Sequence, residues 1–385
     1  MDYIYANNAA TTKIKPETLE EMLPYFLVEY GNPSSIDRLG KRAKSAVEKS
    51  RKYISGRIGC KPTELIFTSG GSESNNMAIK GATSYENQEE ANIITTSIEH
   101  HSVTQSVINC KFNGDSVTML PVDAFGLINM SQLKDSIQPN TSLVTISVCN
   151  NEIGTIQDIK AIYKIICDYG KNRPLFHVDA VQGMAHLPYN SFVGKCDMFS
   201  FSGHKFGAPK GVGGLYISEK VNIDPLIYGG RQEFSMRAGT ENVAGIVGMA
   251  AAMKNHSEGD NQRVGILTDH LYEGLIDIEG CQLNSFYKSR RVPGIVNASF
   301  SCVGAESLLI ALEQKGVIVS AGSACTSDSN ESSHVLRGIG LTEEYINGTI
   351  RISLGDYNTK KEVDFIIETI AEVVPYLRQQ KWRDE

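Results

Sequence analysis

The sequence carries no excess of basic charge, no apolar run of membrane length, no closely spaced cysteine pair and no internal repeat. Each absence excludes a class. With 37 Lys and Arg against 44 Asp and Glu the formal net charge is -7, so nothing draws the chain to a nucleic-acid backbone and direct nucleic-acid binding is not expected. A bilayer span needs about 20 consecutive apolar residues, which no stretch approaches, so no membrane partner is expected. The opening Met1-Asp2-Tyr3-Ile4-Tyr5 has no basic segment leading into an apolar run, which points to a cytoplasmic location. The eight cysteines, at 60, 110, 149, 167, 196, 281, 302 and 325, include no C-x-x-C pair. That argues for reduced structural thiols and against a metal site.

What is present fits a soluble enzyme-sized chain. The 385 residues are 41% hydrophobic and 21% charged, ordinary values for a globular protein. Domains cluster at about 100 to 200 residues, so the length suits one large and one smaller domain. Short apolar runs alternate with helical stretches: Leu65–Thr68, Ile93–Thr95, Leu143–Val148, Leu175–Val178 and Met198–Phe201. Such runs predict a mostly parallel sheet covered on both faces, an α/β fold. A polar stretch from Lys254 to Asp260 marks a boundary. We expect a large domain over 15–257 and a smaller α+β domain over 258–385, the latter packed by residues 1–14 and containing the runs Ile295–Phe300, Val317–Val319 and Ile350–Ser353.

In an open parallel sheet, ligands bind beyond the carboxyl ends of the strands. After Leu65–Thr68 come Ser69-Gly70-Gly71-Ser72 and a helical stretch, a turn that lets backbone N–H groups approach a phosphate. After Leu175–Val178 comes Asp179, with Gln182 three residues on. A strand-end carboxylate can hold a pyridine nitrogen protonated, although Asp in that place also caps helices. After Met198–Phe201 come Ser202, His204 and Lys205; a lysine desolvated in a cleft loses basicity and becomes available for Schiff-base chemistry. Taken together the three units meet the needs of pyridoxal 5'-phosphate. Cys325 stands in the small, polar run Ser320–Ser333, which reads as a mobile loop. An exposed free thiol needs a reason.

At this point the chain closely resembles the NifS-like cysteine desulfurases, class-V aminotransferases among the fold-type I pyridoxal-phosphate enzymes. The resemblance is carried, in order, by Asn8–Thr12, Gly31–Ser35, Phe67–Asn76, Glu99–His101, Asn150–Thr155, His177–Ala180, Ser202–Lys205, Arg237–Asn242, Gly322–Ser327 and Arg351–Gly355. It implies a seven-stranded large-domain sheet, Lys205 carrying the cofactor, Asp179 on the ring nitrogen, Gln182 on the ring hydroxyl and His100 over the ring, where it is also a catalytic candidate for proton transfer. Gly71, Ser72, Ser202 and His204 are then expected at the phosphate. Thr240 is expected to reach the phosphate of a neighbouring subunit, which implies a homodimer with shared sites. Arg351, assisted by Asn151, is expected on the carboxylate of L-cysteine, a task for a bidentate guanidinium. The implied reaction converts L-cysteine to alanine with Lys205 moving the α-proton. Cys325 takes the sulfur as a persulfide for a protein acceptor in iron-sulfur assembly or thiolation.

Four positions depart from the family pattern: Asn7 for Asp, Asp37 for His, and Arg231 and Ser235 for glycines. None belongs to the expected cofactor residues. Ser147-Val148-Cys149 also differs from relatives, and Cys149 is expected to serve core packing. The alternative activity is a selenocysteine lyase or another lyase or aminotransferase of the same fold, which would not need Cys325.

Overall fold

The computed structural model describes residues 3–85, 91–256, 258–322 and 332–384. Within them the strands are β1 (Ile4–Tyr5), β2 (Leu65–Thr68), β3 (Asn92–Thr96), β4 (Ser116–Leu120), β5 (Thr141–Ser147), β6 (Leu175–Asp179), β7 (Met198–Ser202), β8 (Gly213–Ile217), β9 (Cys281–Leu283), β10 (Ile295–Phe300), β11 (Val317–Ile318) and β12 (Thr349–Ser353).

Seven of these form one sheet in the order β2-β8-β7-β6-β5-β3-β4. The pairs from β7 through β4 are parallel, and β8 runs antiparallel to both β2 and β7. Consequently β2, β3, β5, β6 and β7 all point the same way and end on one edge. Alternate residues face opposite cores. Phe67, Ile94, Val144, Phe176 and Phe199 join one cluster with Ile54 and Ile162, whereas Ile66, Ile93, Leu143 and Met198 join another with Met77 and Val107. Both faces are therefore dry, which is why the strands read as unbroken apolar runs.

The smaller sheet is antiparallel, in the order β12-β10-β9. It packs with helices Glu258–Ile276, Ala305–Gln314 and Lys360–Asp384 around Leu271, Leu308, Val363 and Ile366. Residues at the start of the chain join this core: β1 pairs in parallel with β11, and Ala6 is fully buried in it. Among the described residues no helix is long and apolar enough to cross a membrane.

Strand β8 escapes sequence reasoning because it opens on two glycines. A Cβ on Gly214 would lie 2.4 Å from the Phe201 ring, and one on Gly213 would lie 2.5 Å from the Phe201 carbonyl and 2.7 Å from Gly70 Cα. The glycines let β8 wedge between β7 and the turn that follows β2.

Two departures from the family pattern receive a local explanation. Asp37 caps helix Arg38–Ile58, its Oδ1 accepting from the N–H groups of Leu39 and Gly40, both at 2.9 Å. Ser235 has φ +67 and follows Glu233 and Phe234, also left-handed at +45 and +57. Glycine adopts that conformation without Cβ strain. The run is held by a buried pair in which Arg51 Nη1 and Nη2 donate to Glu233 at 2.9 and 2.6 Å, while Glu233 also accepts from Phe67 N at 2.7 Å. Nothing in the structure explains Arg231, which is exposed.

Candidate active site

The parallel strands deliver the chemistry to one edge. Beyond their carboxyl ends lies a cavity of about 210 Å³, lined by residues that follow each strand. Gly71 and Ser72 follow β2, His100 and Ser102 follow β3, and Cys149 and Asn151 follow β5. Asp179 and Ser202 close β6 and β7, with Gln182, His204 and Lys205 just beyond; Arg351 enters from β12 of the smaller sheet. Ten of the expected site residues, from Gly71 through Arg351 in sequence and Asn151 among them, thus meet at a single cavity.

The helix Gly71–Tyr85 presents its first two residues to the cavity, so the unpaired N–H groups and partial positive charge of its first turn face the same space. Glu73 braces that turn by accepting from Ser69 N at 2.9 Å and from Arg237 at 2.8 and 3.3 Å. His204 Nδ1 lies 3.2 Å from Thr11 Oγ1, and burial lowers its pKa to about 4, so it is neutral at pH 7.

Asp179 is buried and accepts from Val181 N at 2.9 Å and Asn75 Nδ2 at 2.8 Å. Lys205 Nζ donates to the carbonyls of Ala9 and Ala10 at 2.7 and 2.9 Å. Gln182 Nε2 donates to the same Ala9 carbonyl at 3.0 Å, and its Oε1 is buried with no partner among the described residues. A buried amide oxygen without a donor costs free energy until one arrives. The ring hydroxyl of pyridoxal phosphate carries such a proton, and Asp179 suits its pyridinium nitrogen, so this donor set fits the cofactor.

Arg351 is 1% exposed. Its Nη1 donates to the Asn151 backbone carbonyl at 2.9 Å and its Nη2 to Asn7 Oδ1 at 3.1 Å. Asn7, a departure that sequence reasoning leaves without a contact, therefore touches the expected carboxylate-binding residue. The turn that presents Asn151 is tied by Asn150 Oδ1, which accepts from Glu152 N and Ile153 N at 2.8 and 3.1 Å.

Cys149 is not confined to core packing, since it also lines the cavity; burial, reinforced by Asp179, raises its thiol pKa far above the ordinary range and makes it a poor nucleophile. Thr240 is exposed and lines a separate cleft with Arg237 and Glu241. Cys325 lies outside the described residues. Sequence reasoning missed Asn75, Ser102 and the carbonyls of Ala9 and Ala10. The position of Ser102 in the first turn after His100, where a side chain can turn back on the cap, was the available signal.

The class-V aminotransferase family matches residues 4–366. Cysteine desulfurase IscS of Methanosarcina thermophila is 44% identical over 378 residues, covering 97% of this chain and 93% of its own. The IscS of Dictyoglomus turgidum is 40% identical, covering 99% and 98%. Among solved structures, a NifS-like protein superposes with a TM-score of 0.90 at 35% identity, over 97% of this chain and all (100%) of its own. SspA in complex with cysteine superposes at 0.80 with 34% identity, over 92% and 99%.

Proposed function

The chain belongs to the class-V aminotransferase family, and from that premise we propose that it is a pyridoxal-phosphate-dependent cysteine desulfurase that converts L-cysteine to L-alanine and passes the sulfur through a Cys325 persulfide to a protein acceptor. The observation that carries this reading is the convergence of Lys205, Asp179 and Arg351 on one cavity. The comparison with SspA in complex with cysteine supports the substrate. A homodimer, with Thr240 reaching the neighbouring site, is part of the reading. So are a cytoplasmic location and the division into 15–257 and 258–385, with residues 1–14 on the latter.

Gly71, Ser72, Ser202 and His204 would hold the cofactor phosphate, Asp179 the ring nitrogen, Gln182 the ring hydroxyl and His100 the ring face. When bound, the cofactor supplies an electron sink for the substrate α-carbon. Arg351, with Asn151 beside it, fixes the substrate carboxylate, and burial strengthens that attraction by excluding water. Lys205 Nζ removes and returns the proton at the α-carbon. Cys325 Sγ, as thiolate, forms a bond to the substrate sulfur while the C–S bond breaks. The bonding pair stays on the substrate carbon, which takes up a proton to become the methyl group of alanine. Cys149 does not share this role, because its thiol stays protonated.

The test is anaerobic incubation of the purified, cofactor-loaded protein with L-cysteine, following alanine release and the mass of the Cys325 peptide. We expect alanine together with a one-sulfur mass gain, both lost in Cys325→Ala. Alanine production that persists in Cys325→Ala, or turnover without a persulfide, overturns the desulfurase in favour of a lyase or aminotransferase.

A further inference from the structure

Asn75 lies in the second turn of helix Gly71–Tyr85, 1% exposed and behind the cavity wall. Its Nδ2 is 2.8 Å from Asp179 Oδ2 and 2.8 Å from Ser102 Oγ, and Ser102 Oγ is in turn 2.8 Å from His100 Nδ1. The direction of every proton in this chain follows from its ends. The carboxylate of Asp179 only accepts, so the Asn75 amide must turn its NH2 group toward it. The second amide proton then points at Ser102 Oγ, which accepts it and directs its own proton to His100 Nδ1. The backbone N–H of Ser102 points at the same nitrogen from 3.1 Å.

Two donors aimed at Nδ1 leave it no proton of its own. We propose that Asn75 and Ser102 are positioning residues that transmit the acceptor character of Asp179 to His100, fixing its imidazole as the Nε2–H tautomer, so that toward the cofactor site it is a hydrogen-bond donor and not a base. The inference rests on the proposed function for the cofactor and on the geometry alone for the tautomer. The charged and titratable groups that face His100 are Asp179, which favours its protonation, and Lys205, His101 and His334, which oppose it. Burial is the largest influence and keeps the ring neutral.

The test is the ring 15N spectrum of histidine-labelled protein across a pH series, with and without pyridoxal phosphate, His100 being identified by loss of its signals in His100→Gln. In the wild type Nδ1 is expected unprotonated and Nε2 protonated at neutral pH. Asn75→Leu keeps the volume and removes both N–H donors. It frees the Ser102 hydroxyl to accept from a protonated Nδ1, so His100 should bind a proton roughly tenfold more tightly, and cofactor retention should fall by roughly tenfold as Asp179 loses a donor. Ser102→Ala should raise the proton affinity with a smaller loss of cofactor, and Ser102→Thr should restore the wild-type titration. An Nδ1-protonated or charged His100 at neutral pH, or an unchanged titration in both Asn75→Leu and Ser102→Ala, overturns the proposal. Failure of the wild type to take up cofactor would instead overturn the proposed function, and the tautomer in the cofactor-free protein still decides this inference.

Discussion

Replacing Glu233 by Gln should destabilise the protein by about 3 kcal/mol. The side chains of Arg51 and Glu233 are each 3% exposed and meet through two N–H donors at 2.6 and 2.9 Å. Glutamine keeps the shape but leaves the guanidinium buried without its buried counter-ion. Breaking a buried pair on one side costs about 3 to 5 kcal/mol. Four contacts place the loss at the lower end: Arg51 keeps Leu65 O at 2.7 Å, Glu48 at 3.4 Å, and the faces of Phe67 and Phe234 at 4.5 and 5.0 Å. Urea unfolding followed by far-UV circular dichroism reads the change. The double variant Arg51→Met/Glu233→Leu removes both charges and should recover part of the loss; the Phe67 N–H, left without Glu233, accounts for about 1 to 3 kcal/mol of what remains. A Glu233→Gln protein within about 1 kcal/mol of wild type would refute the reasoning, since surface pairs have that worth.

Ser235→Gly should stabilise the protein by about 0.5 to 1 kcal/mol, because relief of a left-handed Cβ, worth about 1 to 2 kcal/mol, exceeds the added freedom of glycine in the unfolded chain. A lowered thermal midpoint would contradict it, and Ser235→Val should lower it. Glu99 is fully buried between Thr96 and Ser147, and burial raises its carboxyl pKa from 4.5 to about 7. The folded state therefore holds this proton more tightly than the unfolded one. The stabilisation is complete below about pH 4.5 and is lost as pH rises through about 7. Glu99→Gln lacks this titration, so wild type should lose about 3 kcal/mol relative to the variant between pH 4.5 and pH 8. Parallel stability curves for the two proteins would show that Glu99 is already ionised in the fold.

Most of the large sheet was legible because its strands are buried on both faces and so read as apolar runs; Leu65–Thr68 forms over those same residues, as does Ile295–Phe300 in the smaller sheet. Asp179 and Lys205 were legible for a related reason, since a polar residue directly after such a run marks the ligand-binding edge. Strand β8 was not, because the packing of Phe201 demands glycines where a strand pattern expects branched side chains. Nor was β4, an edge strand whose residues are mostly half-exposed. The contacts of Lys205, Gln182 and Arg351 with Ala9, Ala10 and Asn7 span 173 to 344 residues, and no local pattern encodes a carbonyl that accepts from a lysine 196 residues away. The structure also changes the weight of the family departures. Asp37 and Ser235 concern the local backbone, whereas Asn7 bears on the expected substrate site.

The segment around Ala9 has a consequence for the order of assembly during synthesis. Ala9 N donates to Ser353 Oγ across 344 residues, while its carbonyl accepts from Lys205 and Gln182. The last strand of the large sheet ends at Ile217, and helix Val243–Lys254, whose Ile246 and Met249 complete one of its faces, follows. The segment that offers Lys205 its carbonyls is tied on two sides: Thr12 N and Thr12 Oγ1 donate to the His204 carbonyl at 2.9 and 2.8 Å, whereas the bond from Ala9 N to Ser353 Oγ waits for β12. A nascent chain that has not yet made β12 can therefore hold this segment by the ties to His204, and the side of Ala9 that faces the smaller sheet is fixed later.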